Sequence, residues 1–176
     1  MSEGLDLARR LLSAAEGDEA LALVHRERSG LARFARSEVH QPTLIENDVL
    51  ELQIVRDGRL GVAVSNRIDE DGMKALVARA SEAADSAPSD PDFPGLAPQA
   101  DPPEVAGFDE ETAALSADDQ ARLAASAIDA SDLDLYGFFT SGVTELALAS
   151  TTGVEVSQPM TDAAVLALAA VDGASG

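Results

Sequence analysis

The sequence contains no cysteine and no tryptophan among its 176 residues, and aromatic residues make up only 3% of it. Without cysteine, the chain cannot form a disulfide, supply a thiolate nucleophile or bind a metal through sulfur. Apolar residues nevertheless reach 45%, many of them alanine. A chain of this length can bury a sizeable core, so the composition predicts a core that is mainly aliphatic.

Basic residues are almost absent from the second half of the chain. Residues 1–80 hold 11 basic and 14 acidic side chains, whereas residues 81–176 hold 18 acidic side chains and one basic one, Arg122. The net charge of −20 repels phosphate groups, so we expect no direct binding to nucleic acid. Solubility or adaptation to high salt is the first explanation of this charge, and docking to a basic partner is the alternative.

Long apolar runs are also missing. No stretch approaches the ~20 apolar residues that a membrane-spanning helix needs. The first 15 residues place Arg9 and Arg10 within a helical pattern and contain no separate apolar region, which is not the pattern of a signal peptide. We therefore expect a cytoplasmic protein that does not bind membranes.

The sequence shows no motif for catalysis, metal binding or nucleotide binding. His25 and His40 are the only histidines, and they fall on different predicted strands, so we expect no zinc site. The acidic stretch 69–72 has a faint likeness to a calcium loop, but a helix start explains it. The Ser elbow, the Walker loop and the dinucleotide-binding glycine motif are all absent. We predict no catalytic, cofactor-binding or metal-binding residue in these 176 residues.

A pattern of helix, strand, Ser-Gly, strand, Gln-Pro, strand and Asp-Gly occurs twice, at offsets of 112, 117 and 115 residues. The markers are Ser29-Gly30, Gln41-Pro42 and Asp57-Gly58, then Ser141-Gly142, Gln158-Pro159 and Asp172-Gly173. A strand over 59–66 follows the first Asp-Gly, but only three residues follow the second. The pattern predicts an α+β fold of two similar helix-plus-antiparallel-sheet units, an approximate internal repeat whose second unit is truncated at its last strand.

Helices are predicted from Leu5, from an N-cap at Asp69, and from Ser116, where Asp119 completes a variant capping box. Each Ser-Gly pair, each Gln-Pro pair and the segment 151–153 are interpreted as turns. Asp57-Gly58 is the strongest hairpin signal. These breaks divide the predicted strands into 20–27, 31–37, 44–55, 59–66, 133–140, 143–150, 154–157 and 163–171.

Six of the eight prolines lie between residues 87 and 108, which predicts an extended linker held to a domain surface by Phe93 and Leu96. The predicted organisation is therefore a first α/β unit over 1–86, a Pro-rich linker over 87–108, and a second α/β unit over 109–176. This second unit is expected to be incomplete and to lead into a missing C-terminal domain.

Several short stretches resemble a known family. Residues 33–41 read RFARSEVHQ, and after an alternating strand residues 57–69 read DGRLGVAVSNRID. Together they resemble the N-terminal region of the TldD/PmbA family, whose members are also called modulators of DNA gyrase. The stretches DPDFPGL (90–96), FTSG (139–142) and STTG (150–153) fit as well. The resemblance covers about residues 5–171 and is closer to the TldE/PmbA-like branch.

This resemblance implies an α/β N-terminal domain followed by a larger, β-rich C-terminal domain in a cytoplasmic protein. In the family, the TldD branch is a metalloprotease that hydrolyses peptides and carries a His-Glu-x-x-x-His motif in its C-terminal region. The TldE/PmbA branch lacks that motif and pairs with TldD as a non-catalytic partner. The present sequence has no such motif, so the resemblance implies no cofactor in this chain and a zinc-type metal only in the TldD-branch C-terminal domain. The resemblance also implies a homo- or heterodimer with a family subunit, and a peptide substrate.

Two functional hypotheses follow. The first is the N-terminal scaffold or substrate-channel part of a TldD/PmbA-type metalloprotease assembly, which would be inactive alone. The alternative is a stand-alone acidic interaction module that binds a basic partner such as a nucleic-acid enzyme. An enzyme complete in these residues is disfavoured because no reactive groups converge in the sequence.

Overall fold

The structure, a computed structural model, describes residues 2–103, 105–171 and 174–175, apart from the side chains of residues 41, 174 and 175. Within these ranges the helices are α1 (Glu3–Ser13), α2 (Glu70–Ser86), α3 (Glu110–Ala113) and α4 (Ala117–Asp129). The strands are β1 (Glu19–Ala35), β2 (Glu38–Arg56), β3 (Arg59–Ser65), β4 (Asp134–Ser150), β5 (Glu155–Val171) and β6 (Ala174–Ser175).

The strands form one six-stranded sheet in the order β3-β2-β1-β4-β5-β6. Strands β2 and β3 pair antiparallel from Leu50↔Ser65 to Arg56↔Arg59, and β5 and β6 pair antiparallel through Val171↔Ala174. Along the chain, one helix followed by three strands occurs twice, as α1-β1-β2-β3 and as α4-β4-β5-β6. The α+β fold and its approximate internal repeat are therefore confirmed.

The predicted turns at the Ser-Gly and Gln-Pro pairs are wrong. Ser29-Gly30 lies inside β1 and Ser141-Gly142 inside β4, while the two Gln-Pro pairs lie inside β2 and β5. The strands predicted on the two sides of Ser29-Gly30, Ser141-Gly142 and Gln158-Pro159 are thus parts of one long strand each, β1, β4 and β5. The turn predicted at Gln41-Pro42 lies earlier, between β1 and β2. Pro42 lies in a part of β2 that has no partner on the β3 side, because β3 pairs with β2 only from Leu50 onward.

The observed turns have left-handed backbone instead. Arg36 and Ser37, with φ of 51° and 57°, join β1 to β2, and neither is a glycine or asparagine that would signal a turn. Asp57-Gly58, with φ of 50° and 68°, joins β2 to β3 as predicted. The predicted turn over 151–153 is also present, with Gly153 at φ 91°. The predicted Asp172-Gly173 turn lies outside the described residues.

The chain divides into two compact units that are discontinuous in sequence. Unit 1 comprises Met1–Arg26, Asn47–Ala106 and Glu145–Gln158, and unit 2 comprises the three remaining stretches, Glu27–Glu46, Gly107–Thr144 and Pro159–Gly176. This division differs from the predicted consecutive units at 1–86 and 109–176. The physical reason is strand length: β1 has 17 residues and β2 has 19, well above the usual ~5–6, so each contributes to both units. A C-terminal domain beyond these units stays a prediction.

The core of unit 1 is aliphatic, as the composition predicts. Leu50, Leu52 and Ile54 alternate toward the buried face of β2, and helices α1 and α2 pack on that face through Leu11 and Leu76. Helix α2 approaches β3 so closely that a Cβ added to Gly61 would lie 2.2 Å from the backbone of Ala80 and of Ala84.

The predicted start of α2 is confirmed. Asp69 is the N-cap residue, and its carboxylate accepts the N–H of Gly72 at 2.6 Å. This contact accounts for the acidic stretch 69–72 as a helix start. None of the described helices is both long enough and apolar enough to cross a membrane.

The core of unit 2 is smaller and partly aromatic. Its buried members are Ala32, Phe34, Ala124, Leu135 and Phe139. By contrast, parts of β2 and β5 that belong to this unit expose large apolar side chains, and Leu44 and Leu166 are 63% and 60% exposed. The unit therefore leaves apolar sheet surface uncovered within the described residues.

The proline-rich segment before α3 is bonded to unit 1. The N–H of Asp90 donates to the carbonyl of Gly58 at 2.8 Å, and the N–H of Leu96 donates to the carboxylate of Glu19 at 2.5 Å. Phe93 is half-buried and lines a shallow cavity beside Glu19. Between 87 and 103 this segment has no helix or strand.

Candidate functional site

A cavity of about 380 Å³ opens in unit 2, which is within the ~300–1,000 Å³ typical of small-ligand sites. Strands β1, β2 and β4 and helices α3 and α4 provide its walls. The lining residues are Arg28, Ser29, Gly30, Pro42, Thr43, Leu44, Thr112, Ala113, Leu115, Ser116, Ala117, Gln120, Ser141, Gly142 and Val143. The lining is largely apolar, with a few polar groups on the strands and on α4.

The two Ser-Gly pairs lie side by side on neighbouring strands at this cavity. A Cβ added to Gly142 would lie 2.7 Å from the Cβ of Ser29, so the glycine permits β1 and β4 to approach at this point. A Cβ added to Gly30 would lie 2.3 Å from Oε1 of Gln120. Both glycines thus serve close packing, and neither has the positive φ of a turn residue.

Gln120 is the polar centre of the site. It extends from α4, and only 4% of it is exposed. Its Nε2 donates to Oγ of Ser141 at 2.8 Å and to the carbonyl of Ser141 at 3.4 Å. These bonds connect α4 to β4 over the glycine of β1. The sequence analysis missed Gln120, although its position four residues before the buried Ala124 could have indicated a buried side chain.

The nearby hydroxyl groups bond within the protein. Thr140 Oγ1 donates to the carbonyl of Gly30 at 2.9 Å, and Ser29 Oγ donates to the carboxylate of Glu27 at 2.6 Å. Neither histidine lines the cavity: His25 is half-buried in unit 1, and His40 is exposed in unit 2. The serines therefore have no imidazole base among the described lining residues of this cavity.

The helices that wall the cavity begin with ionised carboxylates. Asp109 caps α3, and hydrogen bonds from the side chain and backbone N–H of Thr112 lower its pKa. Asp119 completes the predicted capping box of α4, and its pKa is lowered by hydrogen bonds from the side chain and backbone N–H of Ser116, and less strongly by Arg122. Both groups stay charged at neutral pH. The same two helices carry further acidic residues, Glu110, Glu111 and Asp118.

Arg28 is the only basic residue in the described lining of the cavity. Its Nε lies 3.3 Å from a carboxylate oxygen of Glu46, and both side chains are largely exposed. This exposed ion pair balances the charge of Arg28, while the starts of α3 and α4 carry the acidic residues named above.

Across residues 2–103, 105–171 and 174–175, no group of three His, Asp or Glu side chains is placed to hold a metal ion. The only two histidines belong to different compact units.

A sequence profile described as PmbA/TldA metallopeptidase domain 1 matches residues 20–84. Over that stretch the chain resembles the first domain of this family. The matched stretch runs from the start of β1 through most of α2 and lies within the 1–86 unit that the sequence predicted. A search of curated proteins found no match.

Solved structures resemble the fold of this chain over nearly its whole length. TldE from Thermococcus kodakarensis matches 97% of the chain with a TM-score of 0.78 at 17% identity, using 40% of its own length. A candidate modulator of DNA gyrase from Bacteroides thetaiotaomicron matches 98% with a TM-score of 0.82 at 15% identity, using 43% of its length. A third structure, a candidate modulator of DNA gyrase from Thermotoga maritima, matches 97% with a TM-score of 0.67 at 17% identity, using 40% of its length.

At these identities the similarity establishes the fold. The chain spans about two fifths of the length of each of these structures.

Proposed function

We propose that this chain is the N-terminal scaffold or substrate-channel part of a PmbA/TldD-type peptide-processing assembly and that it is not catalytic alone. The observation that carries the proposal is the family match over residues 20–84. The similarity of the fold to TldE over 97% of the chain extends the same assignment beyond the matched stretch.

The chemistry of the described residues supports a non-catalytic role. The cavity of unit 2 places serine hydroxyls beside a glutamine and not beside a base. In this proposal, the zinc-type metal and the His-Glu-x-x-x-His motif belong to a C-terminal domain of a TldD-branch subunit, and the assembly works in the cytoplasm. We place the chain closer to the TldE/PmbA-like branch, whose members pair with TldD.

The exposed apolar surface of unit 2 supports assembly with another family subunit, as a homo- or heterodimer. Leu44 in β2 and Leu166 in β5 expose more than half of their surface, and residues 163–171 of β5 contain only Ala, Val and Leu. Exposed apolar strands of this kind are protein-interaction surfaces when they are not aggregation sites.

The test is co-expression of this chain with full-length PmbA/TldD-family subunits encoded in the same genome, followed by size-exclusion chromatography with light scattering. We expect a defined complex, and we expect peptide hydrolysis only when a subunit with the metal motif is present. Leu166→Lys should weaken the complex, whereas Leu123→Lys, on the exposed side of α4, should not.

Peptide hydrolysis by the 176-residue chain alone would contradict the proposal, as would failure to associate with any family subunit. The net charge of −20 favours one other function, that of an acidic module for a basic partner such as a nucleic-acid enzyme. Salt-sensitive capture of such an enzyme, together with no binding to family subunits, would support that alternative.

A further inference from the structure

We infer that the cavity of unit 2 binds an aliphatic side chain of a peptide that carries Lys or Arg beside it. This inference rests on the proposed peptide-handling function and assigns that function a location within the chain. Neither the family match, which covers residues 20–84, nor the similar folds identify a ligand at this position.

The walls of the cavity suit an aliphatic side chain. Leu44 of β2, Val143 of β4 and Leu115, which precedes α4, present apolar surface to the same space of about 380 Å³. Leu44 is 63% exposed, so a side chain entering the cavity would remove solvent-exposed apolar surface from water. Apolar walls with a few fixed polar groups are typical of sites that bind small ligands or peptide side chains.

The floor offers a hydrogen-bond acceptor for a peptide N–H. Nε2 of Gln120 donates to Ser141, and Oε1 of Gln120 accepts no hydrogen bond from the described residues. Every fully enclosed side-chain polar atom among those residues has a partner, so Oε1 is not fully enclosed, and Gln120 lines the cavity. The two hydrogen bonds that Nε2 donates hold the side-chain amide in place. Oε1 of the same amide could then accept a hydrogen bond from an N–H of the ligand.

The charge around the cavity selects a basic neighbour for the aliphatic side chain. The starts of α3 and α4, which supply lining residues of the cavity, carry five acidic residues, Asp109, Glu110, Glu111, Asp118 and Asp119, and the one basic residue of α4, Arg122, pairs with Asp119. Glu110, Glu111 and Asp118 have no ion pair within the described part of the chain. Complementary charge raises the association rate and discriminates against acidic peptides.

The experiment measures fluorescence anisotropy of a fluorescein-labelled hexapeptide of alternating Leu and Lys with the full chain, at about 50 mM salt and again at about 500 mM. Two comparison peptides replace every Leu by Ser, or every Lys by Glu. We expect the Leu-Lys peptide to bind most tightly and to weaken at high salt. Equal binding of all three peptides would overturn the inference.

Filling the cavity provides the matched pair of variants. Ala117 lines the cavity from an exposed position at the start of α4, so Ala117→Trp should occlude it without disturbing the core. We expect binding to weaken about tenfold to hundredfold, the effect of losing one buried aliphatic side chain. Ala114→Trp is the control, because Ala114 is exposed nearby and does not line the cavity.

Charge is tested separately with Glu111→Gln combined with Asp118→Asn, which should weaken binding severalfold at low salt. The control combines Asp71→Asn with Glu82→Gln on α2 of unit 1 and should leave binding unchanged. Circular dichroism confirms that each variant is folded. Unchanged affinity for Ala117→Trp would exclude the cavity as the binding site, whatever the charge variants show.

These outcomes are distinct from those that test the proposed function. A chain that assembles with a family subunit but binds no Leu-Lys peptide would overturn only the cavity inference. A chain that binds the peptide in the cavity but joins no family subunit would overturn the assembly proposal and leave the cavity site in place.

Discussion

Replacing Gly30 by alanine tests the packing of the candidate site directly. The added methyl would lie 2.3 Å from Oε1 and 2.4 Å from Nε2 of Gln120, too close for any real contact. Because the obstructed atoms end a flexible side chain, we expect Gln120 to rotate away and α4 to stay in place. The rotation would break the 2.8 Å bond to Ser141 Oγ, whose residue is only 2% exposed.

The expected loss of stability follows from these contacts. Losing the hydrogen bond costs about 1 kcal/mol, and leaving the buried Ser141 hydroxyl and its backbone carbonyl without that donor adds about 1–2 kcal/mol. Alanine restricts the unfolded chain more than glycine does, which offsets about 0.5 kcal/mol. We therefore expect Gly30→Ala to lower the free energy of unfolding by about 2 kcal/mol.

The assay is urea unfolding followed by far-ultraviolet circular dichroism, arranged as a double-mutant cycle with Gln120→Ala. Once Gln120 is truncated, the methyl at position 30 has space, so the double variant should be more stable than the sum of the single effects predicts, by about 1–2 kcal/mol. Strict additivity, or a cost below about 0.5 kcal/mol for Gly30→Ala, would refute the packing described here.

Three further predictions use the same unfolding assay. Gly61→Ala should lower the free energy of unfolding by about 3 kcal/mol or more, because its methyl would lie 2.2 Å from the backbone of α2 and only movement of the helix could remove this clash. A loss no larger than that of Gly30→Ala would contradict this reason. Leu76→Ala, at a fully buried position, should cost about 2–5 kcal/mol, whereas Leu166→Ala, at an exposed one, should stay within about 0.5 kcal/mol; similar costs would contradict the assigned burial. The pKa of Asp69 is lowered by the N–H of Gly72 and by Arg67. Its contribution to the free energy of unfolding is therefore present above the carboxyl pKa of the unfolded chain, about 4, and is lost as pH falls through the lower pKa of the folded chain. Asp69→Asn keeps a capping side chain and should flatten the acid dependence below about pH 4; an unchanged dependence would show that the carboxylate charge is not involved.

Local signals in the sequence were reliable wherever the deciding contacts lie within a few residues. Asp69 caps α2 through the N–H three residues on, and Ser116 and Asp119 bond each other across one turn of α4. Asp57-Gly58 forms its hairpin because its two residues adopt left-handed backbone themselves. In each case the information that fixes the structure is contained in one short segment.

The Ser-Gly pairs show where such reasoning failed. Glycine within a run of strand-forming residues resembles a turn, but in β1 and β4 its missing side chain is needed by a segment far away in sequence. Gly142 makes space for Ser29, which is 113 residues earlier, and Gly30 makes space for Gln120, which is 90 residues later. No local pattern distinguishes a glycine of this kind from a turn glycine.

The sequence by itself determined the α+β class, the approximate repeat of a helix followed by strands, the caps of α2 and α4, and the resemblance to the PmbA/TldD N-terminal region. These follow from periodicity and from contacts between near neighbours, which the chain carries in its order of residues. Only the tertiary structure decided that the strands are long, that they serve two discontinuous units, and that Gln120 closes over paired Ser-Gly sequences beside a cavity. Those features arise where strands and helices distant in the chain come within a few ångströms, so excluded volume and the pairing of buried polar groups fix them.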